Sequence, residues 1–348
     1  MDQAQPIICV LYIGSRRPRL AETLSLMKAE GQIDYACVWP CSAKNAIGLL
    51  LHRRRQKLAV VAESMGAYGL LAVFLGKVLG GHVLVRVKGF VYQELAESNP
   101  GIRTVRSSLK ATLNRFGNLM SLRYADRLVP ISSAVGSHLS EHGHSNISEP
   151  VTVSPRFSSS RVLPGCDLPT GKVITVTNFN FARKVAQLPS FLRLLQPEAV
   201  KRGSSWMVHG DGNHRCEVEE RVLDFISEGH LEFTGEIAAV EDSLAAALVH
   251  VYVSNQDTVS SALLESFALG VPCLINIDFP VIEIRDAVLP DQLLDLNDPE
   301  MAVVRFRELC ENVDLRKRVC ARQYQLLDET FSREQVRAQL AQIFLSLP

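Results

Sequence analysis

The stretch from Val249 to Ile277, VHVYVSNQDTVSSALLESFALGVPCLINI, can fold in few ways. Val249 to Val253 is a short β-branched and aromatic run, and Asn255, Gln256 and Asp257 end it with turn chemistry. Ser260 and Ser261 are good N-cap residues. Ala262, Leu263, Leu264, Phe267, Ala268 and Leu269 supply an apolar helix face that Gly270 can stop. Val271 and Pro272 then lead into a second strand, Cys273 to Ile277. Strand, helix and parallel strand make a right-handed crossover, and its loop lies at the carboxyl edge of the sheet, where open α/β sheets bind ligands. The free amides at the helix start favour an anion. Asp257 and Glu265, one in the loop and one about a turn into the helix, bracket that position. A capping box needs a spacing of three, whereas Ser261 and Ser260 precede Glu265 by four and five. An ordinary exposed helix carboxylate is the other reading of Glu265.

The same alternation recurs along the chain. Ile7 to Ile13 reads as a buried strand followed by Gly14-Ser15 and a helical stretch from Leu20 to Ala29. Leu58 to Ala62 reads as a strand, Tyr68 to Leu79 as an apolar helix closed by Gly80-Gly81, and His82 to Val87 as a strand ending at Lys88-Gly89. ADRLVPISSAVGSHLSEHG, from Ala125 to Gly143, ends a strand at a serine that opens a helix. The aperiodic SPRFSSSRVLPGCDLPTGK, rich in Ser, Pro and Gly, reads as an interdomain linker. A second series starts with the strand Lys172 to Thr177, and includes the strand and Gly-Asp-Gly turn of MVHGDGNHR and a strand from Leu231 to Gly235. That turn lacks the third glycine of a dinucleotide fingerprint. The pattern predicts two doubly wound domains, residues 1–160 and 170–330, with a closing helix over 332–347 that packs back on the first.

With 47% hydrophobic and 21% charged residues the chain is globular, and no apolar run reaches the roughly 20 residues of a membrane span. The start, MDQAQPIICVLYI, lacks the basic segment and cleavage site of a signal peptide. Eight cysteines without a CxxC pair fit reduced core thiols rather than disulfides or zinc. His142 and His144 sit in a Gly-Ser-Asn loop that reads as a solvated turn. A cytoplasmic protein without a metal site is expected. The formal net charge is zero, yet residues 1–150 hold 18 Lys plus Arg against 10 Asp plus Glu, and the rest 19 against 27. Clusters at Arg16, Arg17 and Arg19, at Arg53, Arg54, Arg55 and Lys57, and at Arg103, Arg106, Lys110 and Arg115 are solvated faces or attract anionic lipid at the inner face of a membrane. Nucleic acid is not expected, because aromatics are not interleaved with these arginines.

DTVSSALLESFALGVPCL resembles the signature of retaining glycosyltransferase family 4: an acid, a small-residue loop, then a glutamate before A-x-G-x-P. The Ala125–Gly143 segment is similar to that family's A-D-x-hydrophobic-x-x-x-S stretch. The resemblance implies a GT-B fold, two Rossmann-like domains facing across a cleft, and transfer of a hexose from a nucleotide-diphosphate sugar to a saccharide or lipid-linked hydroxyl, with retention and without a cofactor. It implies that Glu265 holds the donor ribose, that Asp257 faces the donor sugar, and that amides near Ser260 and Ser261 take the diphosphate. Arg183 and Lys184 fall near the family's diphosphate-gripping lysine, and Asn178 takes the place of its usual arginine. Gly14, Ser15, Lys88, Gly89 and Gly210 would border the cleft, with Gly14 and Gly210 on the donor side. The first acid is usually Glu and the loop usually Gly-Phe-Gly, so Asp257 and the serines depart from the pattern, as does Lys88 where relatives carry His. A catalytically degenerate partner protein and a nucleotide-sugar epimerase are the alternatives.

Overall fold

The computed structural model describes residues 8–14, 19–39, 57–97, 105–155 and 171–348. The chain divides into two compact units, residues 1–154 with 333–348 and residues 155–332. In the first unit β1 (Ile8–Ile13), α1 (Arg19–Ala29), β2 (Asp34–Trp39), β3 (Lys57–Ala62), α2 (Ala67–Leu79), β4 (His82–Val87), α3 (Val91–Glu97), α4 (Val105–Tyr124), β5 (Arg127–Pro130) and α5 (Ser133–Glu141) follow one another. The strands form a parallel sheet in the order β2-β1-β3-β4-β5. Chain order reverses between β1 and β3. That is the switch point, where a crevice opens at the carboxyl ends of the strands.

Helices α2 and α4 pack closely against each other. A Cβ on Gly117 would stand 2.6 Å from the carbonyl oxygen of Gly66, so only glycine lets the two backbones approach this far. The Ser132 hydroxyl caps α5 by accepting from Val135 N. Residues 151–153 are buried but belong to no strand. Their polar backbone is satisfied largely by side chains: Arg86 donates to the carbonyls of Val151 and Thr152 at 2.8 and 2.6 Å, and Gln339 Oε1 accepts from Thr152 N, while Val151 N donates to the Pro130 carbonyl.

The second unit comprises β6 (Lys172–Val176), α6 (Ala182–Val185), α7 (Leu188–Lys201), β7 (Trp206–His209), α8 (Arg215–Glu220), α9 (Leu223–Ser227), β8 (Leu231–Gly235), α10 (Val240–Ala245), β9 (Ala247–Tyr252), α11 (Ser261–Ala268), β10 (Cys273–Asn276), α12 (Ile282–Arg285), β11 (Leu293–Leu294), α13 (Pro299–Glu311) and α14 (Val313–Leu326). Its parallel sheet runs β11-β10-β9-β6-β7-β8, so its switch point lies between β6 and β9. Trp206, Phe191, Phe306 and Leu195 anchor the core of this unit. The last helix, α15 (Arg333–Leu345), belongs to the first unit. Val336, Leu340, Ile343 and Phe344 fall on one stripe of it and join Val10, Leu20 and Leu24 in that unit's core.

Candidate active site

Each sheet carries a buried ion cluster at its switch point. In the second unit the β9–α11 loop supplies Asp257 and the turn after β6 supplies Lys184. The lysine ammonium stands 2.9 Å from Asp257 Oδ2, an ion pair not aligned as a hydrogen bond, and both residues are at least nine-tenths buried. Thr258 N donates to the other carboxylate oxygen at 2.8 Å. The loop is held from beneath by Asn276 at the end of β10, which accepts from Ser254 N at 2.9 Å and donates to Asn255 Oδ1 at 2.7 Å.

Ser260 is the N-cap of α11, its hydroxyl accepting from Leu263 N at 3.4 Å. The amides of Ser261 and Ala262 have no carbonyl above them in the helix, and so face outward as donors. Glu265 lies one turn further on and is buried, which excludes an ordinary solvated helix carboxylate. Arg183 is exposed while Lys184 turns inward, so neighbours in this one-turn helix part ways. Asn178 is exposed at the end of β6.

Gly210 adopts φ 128°, and a Cβ there would overlap the Thr177 carbonyl oxygen. Glycine is needed because the β7 turn lies against the β6 turn that leads to Lys184. Beside Asp257, Gln256 is 6% exposed, and neither its amide nitrogen nor its oxygen has a partner.

His250 supports α11 from below. Val176 N donates to its Nε2 at 3.3 Å, so Nδ1 carries the proton and donates to Ser266 Oγ at 2.7 Å. That hydroxyl in turn donates to the Ala262 carbonyl. Burial, with His209 adding to it, pushes the imidazole pKa down to about 3. A folded pKa below the unfolded value means that stability is complete above the ordinary histidine range and is lost as pH falls toward 3. Between pH 6 and 4 the wild type should therefore lose about 1.4 kcal/mol per pH unit through this group, read from denaturant midpoints. His250→Asn should show a shallower slope over the same range.

In the first unit Glu63, directly after β3, is 3% exposed. Tyr12 donates to its Oε2 at 2.7 Å, Arg86 stands 3.5 Å from Oε1, and Lys88 pairs with the same oxygen. Burial pushes the carboxyl up, but the two cations outweigh it and hold it below the ordinary range. Burial, then Glu63, pushes the Tyr12 phenol up. The ammonium of Lys88 is thus tied to Glu63, with 39% of the lysine side chain exposed at the carboxyl edge of the sheet. A Cβ on Gly89 would overlap the Glu94 carboxylate, and one on Gly14 the Tyr12 ring. Ser15 lies outside the described residues.

Sequence reading selected Lys88 but not Glu63, Arg86 or Tyr12. A cation inside the apolar strand HVLVRV was the available signal, since it can be buried only if paired. Among the described residues no group of three His, Cys, Asp or Glu could hold a metal ion. His144 accepts or donates at 2.7 Å with the Tyr92 hydroxyl, and His142 stacks on the Tyr92 ring. Cys9, Cys273, Cys310 and Cys320 are buried and in no disulfide. Among the described residues no helix is long and apolar enough to cross a membrane.

Comparison with solved structures places the architecture. Anabaena HepE, solved with UDP and glucose, has a TM-score of 0.64 at 10% identity, covering 98% of this chain and 100% of that one. The lipopolysaccharide outer core galactosyltransferase WaaB gives 0.60 at 14% identity, with 98% and 100% covered. The fold is GT-B. The lipopolysaccharide core biosynthesis glycosyltransferase LpsE of Rhizobium meliloti is 27% identical over 144 residues, 41% of this chain and 42% of that protein. The chain thus matches less than half the length of this relative. No family model matches. In this GT-B chain the two ion clusters sit at the carboxyl edges of the two sheets, one per unit.

Proposed function

We propose that this chain is a retaining, metal-independent glycosyltransferase that moves a hexose from a nucleotide-diphosphate sugar to a hydroxyl of a saccharide or lipid-linked acceptor in surface polysaccharide or glycolipid synthesis. The observation that carries this reading is the buried Lys184–Asp257 pair beside the open first-turn amides of α11, at the switch point of the second sheet. HepE, of the same fold, is solved with UDP and glucose, which supports a nucleotide sugar as ligand. LpsE and WaaB act in lipopolysaccharide synthesis, which supports a glycan acceptor.

In this reading the bond from the anomeric carbon to the diphosphate oxygen breaks, and its electrons go to the leaving phosphate. Lys184 and the amides of Ser261 and Ala262 stabilise that charge, the largest contribution such a site can make. The acceptor oxygen bonds to the anomeric carbon on the same face, and its proton passes to the leaving phosphate. Glu265 anchors the ribose, Asp257 orients the sugar, and exposed Arg183 adds a cation at the rim. Lys88, held by Glu63, serves the first unit's crevice. Membrane contact and the cytoplasmic side belong to the same proposal.

The test is a thermal-shift screen of uridine, guanosine, adenosine and thymidine diphosphate sugars. A ligand at a hundredfold its Kd should add about 2.7 kcal/mol of stability. Failure of every nucleotide to shift the protein would overturn the reading. If a donor binds but neither hydrolysis nor transfer follows, the degenerate-partner alternative gains; it is favoured by the neutralisation of Lys184 by Asp257 and by exposed Asn178 in place of a cation.

Gln256 gives a second, opposite-signed test. A buried amide without partners costs the free protein about 1–3 kcal/mol. Gln256→Met should leave the ligand-free melting temperature unchanged or higher. It should also reduce the donor-induced shift, because methionine lacks the carboxamide that Gln256 would offer a sugar hydroxyl.

A further inference from the structure

Helices α2 and α4 of the first unit show an outer surface at odds with an ordinary solvated face. Phe74 and Val78 on α2, and Leu113, Phe116, Leu119 and Tyr124 on α4, are between 41% and 65% exposed. Scattered exposed apolar residues are normal, but here they concentrate on two helices packed side by side. On α4 they are interleaved with cations: Arg115 and Arg123 are exposed, and Arg123 lies over the Tyr124 ring at 5.7 Å. The two helices together hold five Lys and Arg and no carboxylate, in a chain whose bases and acids number 37 each. Lys77 is paired with Asp126, and that pair is itself exposed.

A second copy of the chain is a poor occupant. A two-fold contact through α4 would set Arg115 of one copy near Arg123 of the other with no acid on either helix to answer them. A bilayer interface answers both features, because the rings and leucines enter the boundary of headgroups and acyl chains while the guanidinium groups meet anionic phosphates. We infer that the outer face of α2 and α4 is the surface by which this protein docks on an anionic lipid membrane. The inference rests on the lipid-linked acceptor of the reading above, and on no residue of the donor site.

The experiment is flotation of the purified protein with vesicles of phosphatidylcholine alone and of phosphatidylcholine with about one third phosphatidylglycerol, at about 0.1 M and about 1 M salt, where the Debye length falls from about 10 Å to about 3 Å. The expected result is binding to the anionic vesicles at low salt, weakened at high salt, and none to the neutral ones. Arg115→Ser with Arg123→Ser should weaken it about thirtyfold, taking about 1 kcal/mol per cation near the surface. Phe116→Ser with Leu119→Ser should lower it further and leave the melting temperature unchanged, since both side chains are at least 46% exposed. Equal binding to both vesicle types, or anionic binding that all four substitutions leave intact, would overturn the inference. So would sedimentation showing a dimer that Phe116→Ser with Leu119→Ser dissolves. The thermal-shift screen reads the donor site separately: vesicle binding without any nucleotide shift would reject the transferase reading while leaving this surface standing.

Discussion

Lys184→Met is expected to lower sugar transfer by about 10²–10³-fold, the cost of removing one group that stabilises charge developing in a transition state. The same substitution should destabilise the free protein by about 3–5 kcal/mol, because it leaves the Asp257 carboxylate buried without its cation. Two effects of one mutation are separable only if a second mutation removes one of them. Lys184→Met with Asp257→Asn removes both charges and should recover much of the stability, since a buried pair replaced by neutral groups is often near neutral overall. Transfer should stay low in the double variant. Denaturant midpoints and initial rates measured on both proteins check this. If activity returned with stability, Lys184 would be a strut beneath the loop and no partner of the diphosphate.

Asp257→Asn alone sharpens the assignment. It frees the ammonium of Lys184 from its counter-charge, so nucleotide diphosphate should bind at least as tightly while transfer falls. A group that only orients the sugar lowers the rate without weakening the nucleotide. The pair therefore acts as a positioning device whose halves have opposite effects on donor affinity.

How much of this was legible before the structure depends on whether the contact is local. The crossover from β9 through α11 to β10 was readable, cap included, because turn chemistry, the Ser260 cap and the apolar helix face all lie within one continuous segment. His82–Val87 and Leu231–Gly235 emerge with the predicted bounds for the same reason. Lys184 and Asp257 were each singled out, but their contact follows from β6 lying beside β9, and strand order is not written in any local pattern. Which of Arg183 and Lys184 turns inward was equally illegible, because α6 has four residues and shows no periodicity. Glu63 was passed over because one acid after a strand reads as a turn. Its meaning depends on Tyr12 and Arg86, brought to it by the neighbouring strands β1 and β4.

That cluster gives the other large effect. Glu63→Leu should destabilise the first unit by about 3–5 kcal/mol, since it strands the guanidinium of Arg86 with one buried charge and no counter-ion. Glu63→Gln keeps the shape and an acceptor for the Tyr12 hydroxyl but not the charge, so it should fall between wild type and Glu63→Leu. The pH dependence follows from the direction of the carboxyl shift. A folded pKa held below the unfolded one means the stabilisation is present above the ordinary carboxylate range and is lost as pH falls through the folded value. The wild type should therefore lose this contribution on acidification below about pH 4.5, and Glu63→Gln should lack that step while keeping the earlier loss from His250. His250 alone contributes a slope between about pH 6 and 5, and below about pH 4.5 the difference between wild type and Glu63→Gln isolates Glu63, so urea midpoints from pH 7 to 3 on both proteins separate the two groups. If Glu63→Gln matched wild type at pH 7, the charge of Glu63 would not hold Arg86 or Lys88, and the ammonium of Lys88 would have to be oriented by other contacts.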